Sequence, residues 1–235
     1  MNDVPNPESQ LRLHRTRIKF CGITRLQDGL AAAALGVDAL GFVFAAGSPR
    51  RIDAEAAAAI RRRLPPFVAA VALLRDADEA TVRRVIGQLR PDLLQFHGDE
   101  TAAFCGSFGL PYLKAVGMRG LERPLAAVAA EFAGAAGLLL DGHGAGEPGG
   151  QGRSFDWRRA ALDCGVPLIL AGGLHAGNVA DAVRQARPYG VDVSGGIESA
   201  PGIKDSGRMC AFVGAVRRAD ADCSDACADD LPEPA

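Results

Sequence analysis

Residues 167–198 read PLILAGGLHAGNVADAVRQARPYGVDVSGGIE. An apolar run, Pro167–Ala171, is followed by Gly172 and Gly173. Val179, Ala182, Val183 and Ala186 then repeat at helical spacing, and a second apolar run, Val191–Ser194, ends at Gly195 and Gly196. Strand, helix, strand in this order is a parallel βαβ unit. A glycine pair directly after a strand lets backbone N–H groups approach an anion closely. One such pair reads as a strand terminator. Two pairs on successive strand ends read as a phosphate site, so Gly172, Gly173, Gly195 and Gly196 are candidate phosphate-binding residues.

Working outward, six more strand candidates precede this unit: Ile18–Cys21, Ala39–Phe44, Phe67–Leu74, Leu93–Phe96, Tyr112–Val116 and Leu138–Asp141. Several are nearly continuous apolar runs, as expected of parallel strands covered on both faces. Helical patterns lie between them. Gly29–Leu35 stops at Gly36, Asp53 is a cap for Ala54–Leu64, and Val82, Val85, Ile86 and Leu89 form one apolar stripe. Eight alternating units allow a closed (β/α)₈ barrel or an open doubly wound sheet. An open sheet uses a few strand ends at one crevice. Here polar or glycine-rich residues follow most strands, including Cys21-Gly22, Gly47-Ser48, His97-Gly98 and Asp141-Gly142, which is the signature of a barrel mouth. The expected fold class is therefore α/β, a single-domain (β/α)₈ TIM barrel over residues 17–218. Residues 1–16 read as a flexible N-terminal extension and 219–235 as an acidic, disordered tail.

The 235 residues match the roughly 250 usual for such a barrel. With 48% hydrophobic and 23% charged residues, global disorder is excluded. No apolar run approaches the ~20 residues of a membrane helix, and the N-terminus has no secretory core, so a cytoplasmic protein with no membrane partner is expected. The net charge of −2 conceals six acidic and no basic residues in 220–235, which leaves the body at +4. That suits an anionic small molecule and is too weak to argue for nucleic acid. The six cysteines form no CxxC pair and read as reduced thiols. Only three lysines, Lys19, Lys114 and Lys204, stand against 23 arginines, so each is worth locating. Gly144–Gly149 spells GxGxxG, but Pro148 and the glycines after it prevent the helix that a dinucleotide site requires. Residues 142–152 read instead as a mobile loop over the site.

Strand alternation puts Lys19 and Cys21 on one face of the first strand and Ile18 and Phe20 on the other. The apolar pair faces the helices, so Lys19 and Cys21 point into the barrel. A cysteine at the mouth of a barrel strand is a candidate reactive thiolate, favoured by a nearby cation. Asp141 ends the sixth strand, and with Cys21 it forms an opposed pair of proton-transfer groups around one pocket. Strands one and eight are neighbours in a closed barrel, so Lys19 and Asp192 are expected to form a buried ion pair, since neither charge is buried cheaply alone. His14, His143 and His175 lack metal-ligand spacing, and no metal is expected.

In order, KFCGIT (Lys19–Thr24), GFVF through Ser48-Pro49-Arg50, QFHG (Gln95–Gly98), Leu140-Asp141, Gly149–Gly152 with Phe155-Asp156-Trp157, AGGL with Asn178, and Asp192–Glu198 with Lys204-Asp205 are similar to the phosphoribosylanthranilate isomerase family of tryptophan biosynthesis. The resemblance spans about residues 17–218. It implies an Amadori rearrangement of N-(5-phosphoribosyl)anthranilate, a phosphoribosyl substrate, no cofactor, and a monomer or homodimer. It also implies that Asp141 is the general acid, Cys21 the general base, and Arg50 the clamp on the substrate carboxylate. Lys19 and Asp192 are candidates to support these groups from behind, and His97 is a candidate for the same role, for facing the substrate, or for capping the strand end. Burial is expected to raise the Asp141 pKa so that it keeps a proton near neutrality. The chain departs from the family pattern at Gln151 and Gly195, where a hydroxyl residue is usual, and at Phe96, where leucine is usual. A barrel isomerase of the histidine pathway, which uses two aspartates, is disfavoured by Cys21. A silent phosphoribosyl-binding protein is disfavoured by retention of both Cys21 and Asp141.

Overall fold

The computed structural model describes residues 15–144, 154–160 and 164–228. Eight parallel strands close on themselves in sequence order. They are β1 (Arg17–Cys21), β2 (Ala39–Val43), β3 (Ala69–Leu74), β4 (Leu93–Phe96), β5 (Tyr112–Arg119), β6 (Gly137–Gly144), β7 (Leu168–Leu170) and β8 (Gly190–Val193). Closure is made where β1 pairs with β8, with Lys19 directly opposite Asp192. The helices α1 (Leu26–Ala34), α2 (Ala54–Arg61), α3 (Glu79–Leu89), α4 (Ala102–Gly106), α5 (Leu125–Glu131) and α6 (Val179–Ala186) follow strands around the outside. Between β6 and β7 the described chain contributes a short 3₁₀ turn, Trp157–Ala160. After β8 come a two-stranded ribbon, β9 (Glu198–Ala200) and β10 (Ile203–Lys204), and the closing helix α7 (Ser206–Ala228). The fold is the expected (β/α)₈ barrel.

Alternation along the strands creates two cores. Ile18, Phe20, Leu40, Phe42, Leu94, Leu138, Leu140, Val191 and Val193 face outward and pack against the helices. Leu113, Ala115, Leu139, Ile169 and Ala171 fill the barrel interior, and Cys21, Val43 and Leu73 form a smaller apolar layer. The outer core is the larger, and it fixes the strand directions that aim the polar residues inward. Side-chain caps set several helix starts: Asp53 accepts from the Ala56 N–H at 2.9 Å and Asp78 from Thr81 at 2.7 Å.

Three expectations are corrected. The second helix stops at Arg61, short of Leu64. Strands five and six run past the bounds read from sequence, to Arg119 and Gly144, because they keep pairing beyond a register shift. Gly142–Gly144 is thus strand and not loop, while 145–152, the rest of the expected mobile loop and the position of Gln151, lies outside the described residues. The expected disordered tail is also corrected for 219–228, which continue α7. Asp220 accepts from both the N–H and hydroxyl of Thr16, at 3.0 and 2.6 Å, and Asp222 accepts from Arg184 at 2.7 Å. Asp220 thus ties α7 to the residue before β1, and the exposed Asp222 ties it to α6. Residues 1–14 and 229–235, covered by the expected extension and tail, lie outside the described residues.

Candidate active site

Cys21, the last residue of β1, and Asp141, on β6, open on one cavity of about 730 Å³. Arg50, His97, Asp192, Gly172, Gly173, Gly195 and Gly196 also line it, so of the residues singled out from sequence only Lys19 stands behind the wall.

Around Cys21 the groups are cationic but paired. Lys19, buried, donates to Asp192 Oδ1 at 2.8 Å, the pairing expected from strand adjacency. Gly41 lies beneath both inward groups: a Cβ there would stand 2.8 Å from Cys21 Sγ and 3.1 Å from Lys19 Nζ. Lys204, also buried, donates to the Cys21 carbonyl at 2.6 Å, the Ser194 carbonyl at 3.1 Å and Glu198 at 2.8 Å. Burial pushes the Cys21 thiol above its ordinary value, and the nearby Lys19 and Lys204 charges only partly offset this. Lys19 is itself held above its usual range, because Asp192 and Cys21 outweigh the burial that lowers it.

Arg50 presents its fork to Glu198, Nε to Oε1 at 2.9 Å and Nη2 to Oε2 at 2.8 Å. Glu198 thereby joins Arg50 to Lys204. Burial raises the Glu198 carboxyl, but the Arg50 and Lys204 hydrogen bonds hold it below the usual range. Glu198 and Lys204 were read in the sequence only as parts of a motif. The scarcity of lysine was the available signal: all three lysines are buried in ion pairs, the third being Lys114 with Glu100 at 3.0 Å.

Asp141 sits between two imidazoles. His97 Nε2 and His143 Nδ1 each lie 3.4 Å from Asp141 Oδ2. Burial raises the Asp141 carboxyl, but His143 and His97 together outweigh it and hold the group well below the usual carboxylate range. The expected upward shift is therefore reversed, and the cause is the imidazoles, not exposure. His143 escaped the sequence reading because Gly142 and Gly144 flank it and read as a loop. With β6 extended to Gly144, alternation brings His143 to the same face as Asp141.

The glycine pairs differ in what demands them. Gly172 and Gly173 have φ of +81° and +66°, the left-handed region. Gly196 has no room for a side chain, since a Cβ would stand 2.0 Å from the Leu174 carbonyl oxygen. Asn178 shapes the first loop, accepting from the His175 N–H at 2.8 Å and donating to the Gly173 carbonyl at 2.9 Å. Gly195 and Gly196 open a 3₁₀ turn directly after β8.

The sequence pattern of N-(5'-phosphoribosyl)anthranilate (PRA) isomerase matches residues 18–215. The chain belongs to the PRA isomerase family. An N-(5'-phosphoribosyl)anthranilate isomerase of Xanthomonas oryzae pv. oryzae is 51% identical over 213 residues, 88% of this chain and 96% of that relative. The crystal structure of the PRA isomerase from Thermus thermophilus is similar at a TM-score of 0.78 and 39% identity, covering 86% of this chain and 99% of that one. A PRA isomerase solved with reduced 1-(o-carboxyphenylamino)-1-deoxyribulose 5-phosphate is similar at a TM-score of 0.75 and 33% identity, covering 86% and 99%. Among the described residues no helix is long and apolar enough to cross a membrane.

Proposed function

We propose that this chain isomerises N-(5'-phosphoribosyl)anthranilate to 1-(2-carboxyphenylamino)-1-deoxyribulose 5-phosphate, with Asp141 as general acid and Cys21 as general base. The observation that carries the reading is the opening of both groups, with the two glycine pairs, on one cavity of about 730 Å³. Membership in the PRA isomerase family and a relative solved with a reduced form of that product support it.

The steps balance without a redox partner. A proton from the acid goes to the furanose ring oxygen, the C1′–O bond breaks, and the anilino nitrogen lone pair forms the C1′=N bond of a Schiff base. Cys21 removes the C2′ proton, and the C–H electron pair becomes the C1′=C2′ bond of an enolamine. Ketonisation at C2′ with protonation at C1′ completes the isomerisation. Two imidazoles flank the acid: His97 Nε2 and His143 Nδ1 each lie 3.4 Å from Asp141 Oδ2. Gly172, Gly173, Gly195 and Gly196 bind the phosphate through backbone N–H groups. Arg50 takes the anthranilate carboxylate with the N–H groups that Glu198 leaves free, and the Glu198 pairing fixes its fork. Lys19, Asp192 and His97 support the reacting groups, and no cofactor enters any step.

The test is turnover. Phosphoribosylanthranilate generated in a coupled assay should lose its fluorescence on addition of the purified chain, with the aminodeoxyribulose phosphate as product. No conversion by folded protein would sink the proposal.

A further inference from the structure

We propose that His97, Asp141 and His143 form a binding site for a divalent transition-metal ion, with Zn²⁺ the ion that the geometry fits best. The three ligand atoms lie within 4.8 Å of one another. Two of the separations, His97 Nε2 and His143 Nδ1 to Asp141 Oδ2, are 3.4 Å. Zinc bonds of about 2.0–2.2 Å in a tetrahedron put neighbouring ligand atoms about 3.3–3.6 Å apart. Two of the three separations thus match the edge of a zinc tetrahedron, and the third stays within 4.8 Å.

The second observation is unmet bonding. His97 Nε2 and His143 Nδ1 are both buried and have no hydrogen-bond partner among the described residues; their contacts with the carboxylate lack hydrogen-bond geometry. Each side chain is only 8% exposed. Buried polar atoms are almost always partnered, and one cation would satisfy both nitrogens and Oδ2 together. Two imidazoles and one carboxylate are a donor set for zinc and its transition-metal neighbours, not for Mg²⁺ or Ca²⁺, which prefer all-oxygen shells. The fourth position would face the cavity that His97 and Asp141 line, which also supplies the route of entry.

The rings are held in place. They stack with centroids 5.0 Å apart and 29° between planes. Gln95, wholly buried, meets His97 Nδ1 at 3.1 Å through its amide nitrogen, while its Oε1 has no partner among the described residues. Turning that amide over brings Oε1 to an Nδ1–H and frees Nε2 as a ligand. Metal-bound histidines make this kind of outer hydrogen bond. One reorientation therefore prepares His97 and moves the unpartnered end of Gln95 from its oxygen to its nitrogen.

The probe is Co²⁺, titrated into the full chain with Cys210, Cys223 and Cys227 changed to serine to remove competing thiols. One equivalent should bind with the visible spectrum of a low-coordinate site and without a thiolate charge-transfer band. Zn²⁺ should displace it and Mg²⁺ should not. His97→Gln and His143→Gln should each weaken binding at least ~10-fold, the lower end for loss of even an outer partner. In the wild-type chain, which needs no variant to fold, the first imidazole resonances to respond to Zn²⁺ should be those of His97 and His143. No Co²⁺ binding, a thiolate band, or unchanged affinity in both variants would overturn the site. Zn²⁺ should also block isomerisation in competition with substrate, an effect that rests on the proposed role of Asp141. Binding without inhibition would leave the metal site standing and count against Asp141 as the acid.

Discussion

Around Cys21 the neighbouring charges are two lysines, each tied to its own carboxylate, Lys19 to Asp192 and Lys204 to Glu198. Around Asp141 they are two imidazoles that share that one carboxylate. Both groups are buried, yet burial prevails at Cys21 and the neighbours prevail at Asp141. A cation already paired projects little field onto a third group, whereas two imidazoles with one anion between them act on it together. Charge near the proposed base is therefore built into the barrel frame. The proposed acid instead has two imidazole rings beside it, with no second carboxylate paired to either among the described residues.

The comparison breaks most readily at Lys19. Lys19→Met strands Asp192 in the barrel and should cost about 3–5 kcal/mol in denaturant unfolding. Lys19→Met combined with Asp192→Leu should recover most of that loss. A single variant as stable as wild type would mean that the pair is not buried in solution. The same variants sharpen the electrostatics. Lys19 lowers the Cys21 pKa and Asp192 raises it by less. Activity that needs the thiolate rises with pH, so Lys19→Met should move the lower limb of the kcat/KM profile to higher pH. The double variant should fall between it and wild type. An unmoved limb would detach Lys19 from the titrating base.

Smaller effects are expected away from the cavity. Asp220→Ala removes two hydrogen bonds that join α7 to the start of β1 and should cost about 1–3 kcal/mol, read from thermal or denaturant melts. Its kcat should stay near wild type; a large loss would tie the helix end to the site. Smallest of all, truncation after Ala228 should leave turnover unchanged, and a measurable drop would show that the last residues contribute to catalysis.

The barrel was legible because its evidence is local. Apolar runs, glycine pairs and polar strand ends each declare themselves within a few residues. Alternation then gave the inward faces of Lys19 and Cys21, and ring closure gave Asp192 as the neighbour of Lys19. Partners joined across the molecule by anything other than strand adjacency were not legible. Nothing near Arg50 in the chain points to Glu198, and nothing near Lys204 points to the carbonyl of Cys21. His143 was missed for a different reason. Its flanking glycines suggest a loop, and only continued pairing with β5 keeps the segment extended. The end of α7 was misread because charge density favours disorder, while Thr16 and Arg184 supply partners from distant elements. Each miss belongs to tertiary pairing, which a local pattern does not encode.

The account stands most directly on two substitutions measured side by side. Cys21→Ala and Asp141→Asn, both shown to be folded, should each lose at least ~10²-fold in kcat for phosphoribosylanthranilate, the lower end for general acid–base groups. A wild-type rate in either variant would contradict the assignment of base to Cys21 or acid to Asp141.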